Sequence, residues 1–470
     1  MVRGSENHVL VLPYPGQGHI NPMLQFSKRL ISKGLKVTLA ITVHVAKTME
    51  TQIDGPIKVE KISDRHDEGG MMQASSVRSY IERYKLVGSE ALSKIIEKQR
   101  SLGDPISCVV YHDQFYPWAL HVAKRYNLIG AAFYTQSCVV SSIYYDIQKG
   151  LLKTPVLANQ VSSRPGLPTL DFSDLPTYIA DLGPDPAVLD AILEPYRNSD
   201  KADWVLFSTF DKLEVEVNNM NFSTTTCKQS DQLPSAYLDK RIEGDTNYGF
   251  NMFEPKVASC ISWLNSKKNH SVIYLSFGSI SMVKQEQMEE IAWALLECDY
   301  NFLWVVRGSE ENKIPSKFLK QMSTSERGKM LSWCPQLEVL SHPAVGCFAT
   351  HCGWNSTLEA LSIGVPMIGF PVWSDQPTNA KCIEDVWKVG IRPKFNKNRI
   401  SRKEDVKSCI QEVMEGVKGK EMRMNARKWK NLAVEAVREG GSSDKNIDEF
   451  VAKVNDFNMA SPQCYRRAVT

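Results

Sequence analysis

The chain has 470 residues, 43% of them hydrophobic and 23% charged, with 27 Gly and 23 Pro. This make-up excludes a collagen-like, low-complexity or wholly disordered protein and leaves room for about two to three domains. Lys and Arg number 56 against 53 Asp and Glu, a formal charge of +3, so no strong field favours nucleic acid or an anionic membrane.

The first predicted strand, HVLVLPY from His8, runs into GQGHINPMLQFSKRL, where a strand ends and a helix begins. That junction carries Gly16, Gln17, Gly18 and His19. A dinucleotide fingerprint needs a glycine at position 21, but Asn21 and Pro22 stand there, so a nicotinamide cofactor is not indicated. What remains is a histidine on a strand-to-helix loop, able to act as a base near neutral pH or to serve only as a structural polar group. Further strands are predicted at KVTLAIT from Lys36, ISCVVYH from Ile106, IGAAFYT from Ile129 and DWVLFSTF from Asp203, each followed by a helical period. Asp113, just past ISCVVYH, is a candidate to orient the His19 imidazole, with a turn cap as the plainer alternative. His112 stands just before it. The second half repeats the pattern at SVIYLSFGS from Ser271, FLWVVRG from Phe302, GCFATHCG from Gly346 and VPMIGFPV from Val365.

A polar, helix-poor stretch over residues 233–257 reads as a linker. The expected architecture is therefore α/β: two doubly wound Rossmann-like domains facing each other across a cleft, with function on the strand-to-helix loops. The domains are expected over residues 1–232 and 258–455, the last helix packing back on the first domain and residues 456–470 forming a disordered tail. The basic segment from Val417 to Asn431 reads as a solvated helix face, not as a phosphate patch. Eleven scattered cysteines without a C-x-x-C pair point to a reducing compartment. No run of about 18 apolar residues occurs, and the first apolar run is broken by Pro13 and Pro15, so a cytoplasmic chain without a membrane span is expected.

The densest signal runs from Trp333 to Gln376. After GCFAT comes HCGWNSTLEAL, a loop with Gly353 opening a helix whose first turn holds Asn355, Ser356 and Thr357. Backbone N–H groups and short polar side chains at a helix N-terminus suit a phosphate, and no P-loop lysine follows. Trp333 could stack on a base, Glu359 could accept hydrogen bonds from ribose hydroxyls, and Asp375 with Gln376 suit a hydroxyl-rich ligand. Singly, Trp333 reads as core and Glu359 as helix surface; together they describe a nucleotide with a sugar attached.

These 44 positions, without gap or insertion, resemble the signature of the plant family 1 UDP-glycosyltransferases that act on secondary products. PYPGQGHINPMLQFSKRL, FYPWALHVAKRYNL, GAAFYTQSC, LPSAYLDKRIEGD and SFGS extend the resemblance over most of the chain. It implies the GT-B fold and a UDP-glucose-dependent transferase. On this resemblance Trp333 would stack on uracil, Cys334 (through its backbone) and Gln336 would bind uracil and ribose, and Glu359 would hold the ribose. His351, Asn355, Ser356 and Ser279 would bind the diphosphate in place of a metal, and Trp354, Asp375, Gln376 and Thr135 would position the sugar. The terminal Gln376 favours glucose over galactose. His19 would be the base and Asp113 its partner, with Tyr14, Gln114 and Tyr116 lining the acceptor. No metal or other cofactor is implied; the partners are UDP-glucose and a small lipophilic hydroxyl or carboxyl acceptor, glucosylated with inversion, and the chain is expected to be a monomer. A UDP-sugar epimerase and a catalytically impaired UDP-sugar or small-molecule binding protein of the same fold are the alternatives. One departure stands out: Asn221 to Gln232, NFSTTTCKQSDQ, is polar where relatives carry a Trp-Pro…Ile-Gly-Pro segment, so a strand is expected to be missing there.

Overall fold

The structure is a computed structural model that describes residues 7–49, 56–154, 156, 167–180, 186–197, 199–215, 217, 227–230, 249 and 257–459. The chain divides into two compact units, the first made of residues 1–154, 182–252 and 435–470, the second of 155–181 and 253–434. Each is a parallel sheet flanked by helices.

The first unit's sheet contains β1 (His8–Leu12), β2 (Lys36–Thr42), β3 (Lys58–Ile62), β4 (Ile106–His112), β5 (Ile129–Tyr134), β6 (Trp204–Ser208) and β7 (Cys227–Ser230), in the order β3-β2-β1-β4-β5-β6-β7. Every pairing is parallel. The order reverses between β1 and β4, which opens a crevice at their carboxyl ends. His19 follows β1 and Asp113 follows β4, so both stand at this switch point.

The second unit's sheet contains β8 (Val272–Ser276), β9 (Asn301–Val305), β10 (Gly328–Leu331), β11 (Val345–Thr350), β12 (Met367–Gly369) and β13 (Gly390–Ile391), in the order β10-β9-β8-β11-β12-β13. Its switch point lies between β8 and β11, whose carboxyl ends carry the SFGS loop and the start of the signature helix. Strands β1, β4, β5, β8 and β11 are buried along their whole length, as two-sided sheets with crossover helices require.

Three expectations change. The polar segment at Asn221 does supply a strand: β7 pairs with β6 from Val205↔Cys227 to Ser208↔Ser230. An edge strand needs backbone pairing on one side only, so a polar sequence can fill it. Residues 155–181 join the second unit instead of the first domain. Asp174, buried there, takes an ion pair from Arg392 at 2.6 Å, its carbonyl accepts from Thr378 Oγ1 at 2.6 Å, and Thr177 exchanges hydrogen bonds with Ser374 at 2.8 and 2.9 Å. The helix Ser442–Met459 extends four residues into the expected tail. Most of the expected linker, and residues 460–470, lie outside the described residues.

That terminal helix belongs to the first unit. Ile447, Phe450, Val451 and Val454 enter the same core as Val9, Val11, Phe26 and Leu39, with the Phe450 ring 5.6 Å from Phe26 and 5.7 Å from Trp204. Asp444 is buried against Arg29 at 2.9 Å, across 415 residues of chain. Among the described residues no helix is long and apolar enough to cross a membrane.

Candidate active site

In the first unit, Gly16 caps the helix Gln17–Ser32 in an extended conformation, and His19 sits in that helix's first turn. Its Nδ1 lies 2.9 Å from Thr135 Oγ1 and 2.9 Å from His112 Nε2, and the latter is 3.0 Å from Thr135 Oγ1. Three polar atoms from three strand ends thus converge. Nε2 of His19 has no hydrogen bond to any described residue and is the ring nitrogen left for an incoming group. Burial lowers the His19 pKa to about 4, so the ring is neutral at physiological pH.

The expected His19–Asp113 contact is not made. His112 ends β4, and its imidazole occupies the place against His19; Asp113, one residue on, points its Oδ1 at His112 Nδ1 from 3.8 Å. A one-residue step along the strand end turns the side chain to a different neighbour. Burial holds the Asp113 carboxyl well above the usual range, against the backbone groups of Gln114, Asp113 and Thr135 that favour its charged form. Burial, and then the neighbouring His19, hold His112 well below its ordinary value.

Of the expected acceptor residues, Tyr14 stands edge-on to His19 at 5.3 Å. Tyr116 is 1% exposed and packed 5.0 Å from Tyr84 and 5.5 Å from Trp118, so it is part of an aromatic core. Gln114 is also buried. Thr135, expected with the sugar-binding groups, is held at the His19 imidazole.

In the second unit the signature residues assemble around one helix, Trp354–Ile363. Gly353 caps it without a side-chain hydrogen bond, and a helix N-terminus of this kind suits an anion. Glu359, one turn in, accepts from Asn355 Nδ2 at 2.8 Å and from Gln336 Nε2 at 2.6 Å; Gln336 Nε2 also reaches Ser356 Oγ at 2.9 Å. Tyr274 OH donates to Gln336 Oε1 at 3.2 Å and lies 3.4 Å from Cys334 Sγ. Trp333 and Trp354 are both buried, the latter 5.9 Å from Trp387.

His351 is wedged between two glycines. A Cβ on Gly278 would lie 2.8 Å from its ring and one on Gly353 would lie 2.5 Å from Nε2; Gly278 also has φ +75°, a left-handed conformation that costs a side chain about 1–2 kcal/mol. The glycine of SFGS is therefore what lets the histidine lie beside that loop. Burial, then the charge of Arg307, lower the His351 pKa to about 4, so the ring is neutral at physiological pH. Asp375 is raised to about 6 by burial, against a 2.7 Å hydrogen bond from Asn379 Nδ2. Gln376 Oε1 accepts from the Val372 and Trp373 amides at 2.9 and 3.1 Å, while its Nε2 donates to Ser281 Oγ at 3.1 Å.

Sequence reasoning missed four contributors. Arg307 donates to the carbonyls of Ser279 and Ser281, fixing the SFGS loop. Ser281 fixes Gln376, and Asn379 fixes Asp375. The four-residue spacing of Asp375 and Asn379 on a helix was a readable sign; nothing local marks Arg307. The fourth, His112, was visible at its strand end.

Two Rossmann-like units with polar side chains gathered at each switch point are the kind of frame on which an enzyme binds a nucleotide-linked substrate. Comparison with known proteins agrees. The family model described as UDP-glucoronosyl and UDP-glucosyl transferase matches residues 242–431. The chain is 46% identical over 452 residues to UDP-glycosyltransferase 74F2 of Arabidopsis thaliana, covering 95% of this chain and 98% of that one. It is 45% identical, at the same coverage, to the flavonol 7-O-beta-glucosyltransferase UGT74F1 of the same plant. Among solved structures, that of Os79 from O. sativa in complex with UDP superposes with a TM-score of 0.90 at 38% identity, covering 95% of this chain and 100% of that one. The chain belongs to the plant family 1 UDP-glycosyltransferases, and it is a UDP-glucose-dependent glycosyltransferase of the GT-B fold.

Proposed function

We propose that the enzyme transfers glucose from UDP-glucose to a hydroxyl or carboxyl of a small lipophilic plant metabolite, with inversion at the anomeric carbon and with His19 as base. The observation that carries this is the His19 imidazole, oriented through Nδ1 by Thr135 and His112 while its Nε2 is left to the acceptor. A hydroxyl is a poor nucleophile, and partial removal of its proton as it attacks lowers the barrier. The sugar then leaves UDP on the opposite face, so an α-linked donor yields a β-glucoside. Charge growing on the departing diphosphate is met by His351 and by the N–H groups of the helix Trp354–Ile363, groups already in place before the reaction. In this reading the diphosphate needs no metal, the donor being the co-substrate. The flavonol activity named for one relative supports a phenolic acceptor.

The test is a mass-spectrometric screen of the purified enzyme with UDP-glucose against phenolic, carboxylic, steroid and terpenoid acceptors, with the anomeric configuration of each product read by NMR. Acceptor-dependent release of UDP with a β-linked product is expected. An α-linked product, or UDP released equally without acceptor, would overturn the proposal.

The two perturbed sites predict separate acid limbs. Asp375, which in this reading accepts hydrogen bonds from glucose hydroxyls, is ionised only above about 6, whereas His19 keeps its basic form down to about 4. As pH falls, kcat/KM for UDP-glucose is expected to drop through pH 6 first, while kcat on a phenol at saturating donor holds until closer to 4. Coincident limbs in the two profiles would contradict this division.

A further inference from the structure

His112 belongs neither to the donor-binding groups nor to the pair expected at the first switch point. Its Nε2 is 2.9 Å from His19 Nδ1, and on the other side its Nδ1 faces Asp113 Oδ1 at 3.8 Å. That Nδ1 and both Asp113 oxygens are buried, and none of the three makes a regular hydrogen bond to a described residue. Two orphaned groups of opposite character facing each other deep in a sheet call for an explanation.

We propose that His112 is a positioning residue inserted between base and carboxylate, so that Asp113, His112 and His19 form one line of proton-sharing groups. The proposal rests on His19 being the base. For Nε2 of His19 to accept a proton, its Nδ1 must carry the ring hydrogen. Two neutral imidazoles share a hydrogen bond only when one donates and the other accepts, so His112 takes its own hydrogen on Nδ1 and aims it at Asp113. Thr135 Oγ1, within reach of both rings, fixes their mutual angle.

In the transfer, the acceptor oxygen's electron pair forms the new bond to the anomeric carbon. The bond from that carbon to the UDP oxygen breaks, its pair staying with UDP, and the hydroxyl proton goes to His19 Nε2. The Nδ1 proton of His19 then shifts toward His112, and that of His112 toward Asp113, which must be ionised at that moment and which, being buried, takes up a proton readily. A separation of 3.8 Å exceeds a hydrogen bond at rest, and charge arriving on the imidazole draws the pair together. A carboxylic acid acceptor, already ionised, has no proton to give and makes no use of the line. The other titratable groups around it are phenols: Tyr14 against both imidazoles, Tyr116 beside His112, and Tyr111 and Tyr196 near Asp113. A response in the acid and neutral range therefore belongs to the line itself.

The experiment compares wild type, Asp113→Asn, His112→Gln, the double variant and Asp113→Glu, each with UDP-glucose and either a phenol or a carboxylic acid, across pH. Each single loss is expected to lower kcat on the phenol about 10- to 100-fold, the usual effect of removing a group that orients a reacting one, with KM for UDP-glucose little changed. The double variant should be no worse than His112→Gln alone, because a broken line cannot be broken twice. The phenol-to-acid ratio of turnover should fall in every line-breaking variant, the acid limb on the phenol should move in Asp113→Asn, and Asp113→Glu should recover part of the rate. A wild-type kcat and pH profile in Asp113→Asn, or losses that multiply in the double variant, would overturn the line. His19→Ala that still turns over the phenol would instead remove the base beneath it, a distinguishable result. If Asp113→Asn does not fold, the Asp113→Glu pH profile decides, an unmoved limb counting against the proposal.

Discussion

Replacing His19 by Ala is expected to lower turnover of phenolic and alcoholic acceptors about a hundred- to ten-thousandfold, the range a positioned general base supplies. The loss should fall in kcat rather than in the affinity for UDP, because the residues expected to hold uracil, ribose and diphosphate belong to the second unit and none of them is among the hydrogen-bond partners of His19. On a carboxylic acid the same variant should lose far less, since that nucleophile arrives without its proton. Side-by-side kinetics on one phenol and one acid, with UDP affinity measured by calorimetry, check all three statements. Full activity on the phenol would end the assignment of His19.

The second large effect is expected at Glu359. This side chain is 3% exposed and receives hydrogen bonds from two amides, Gln336 Nε2 and Asn355 Nδ2. A hydrogen bond to an ionised group contributes about 1.5–3 kcal/mol, and Glu359→Ala removes two, although Gln336 Nε2 keeps Ser356 Oγ and neither donor residue is fully buried. We expect the second unit to lose about 3 kcal/mol of stability after partial relaxation. If the same carboxylate holds the ribose hydroxyls, UDP affinity should fall about a hundredfold, equivalent to about 2.7 kcal/mol. Glu359→Gln, which keeps the shape but not the charge, should lie between. A melting curve and a UDP titration suffice, and wild-type values in both would contradict the role.

The strands that sequence reasoning located are the central ones. HVLVL, ISCVVYH, VIYLS and VGCFAT are continuous apolar runs because helices cover both faces of them. The four it did not predict, β3, β7, β10 and β13, are the outer strands of the two sheets. β3, KVEKI, is largely exposed and charged, and β13 has two residues. Their places are fixed by a neighbour's backbone, which leaves little trace in side-chain pattern. The residues expected to bind the donor could be picked out because most of them are crowded between Trp333 and Gln376. The base site was readable only in part: His19 and the ends of β4 and β5 could be found, but which of two adjacent residues faces the imidazole depends on where β4 stops, a one-residue matter of backbone geometry.

The return of the helix Ser442–Met459 to the first sheet bears on how the chain is made. The first unit's sheet and most of its core leave the ribosome with the first half of the chain, yet the residues that complete that core, Ile447 to Val454, are among the last described. At about 5–20 residues per second, the stretch between takes roughly 10–40 s to synthesise. During that time the apolar face around Phe26 and Trp204 awaits its cover while the second unit is translated. Domain-by-domain folding from the N-terminus, the common order, is thus denied to this chain: its first unit is the one that finishes last.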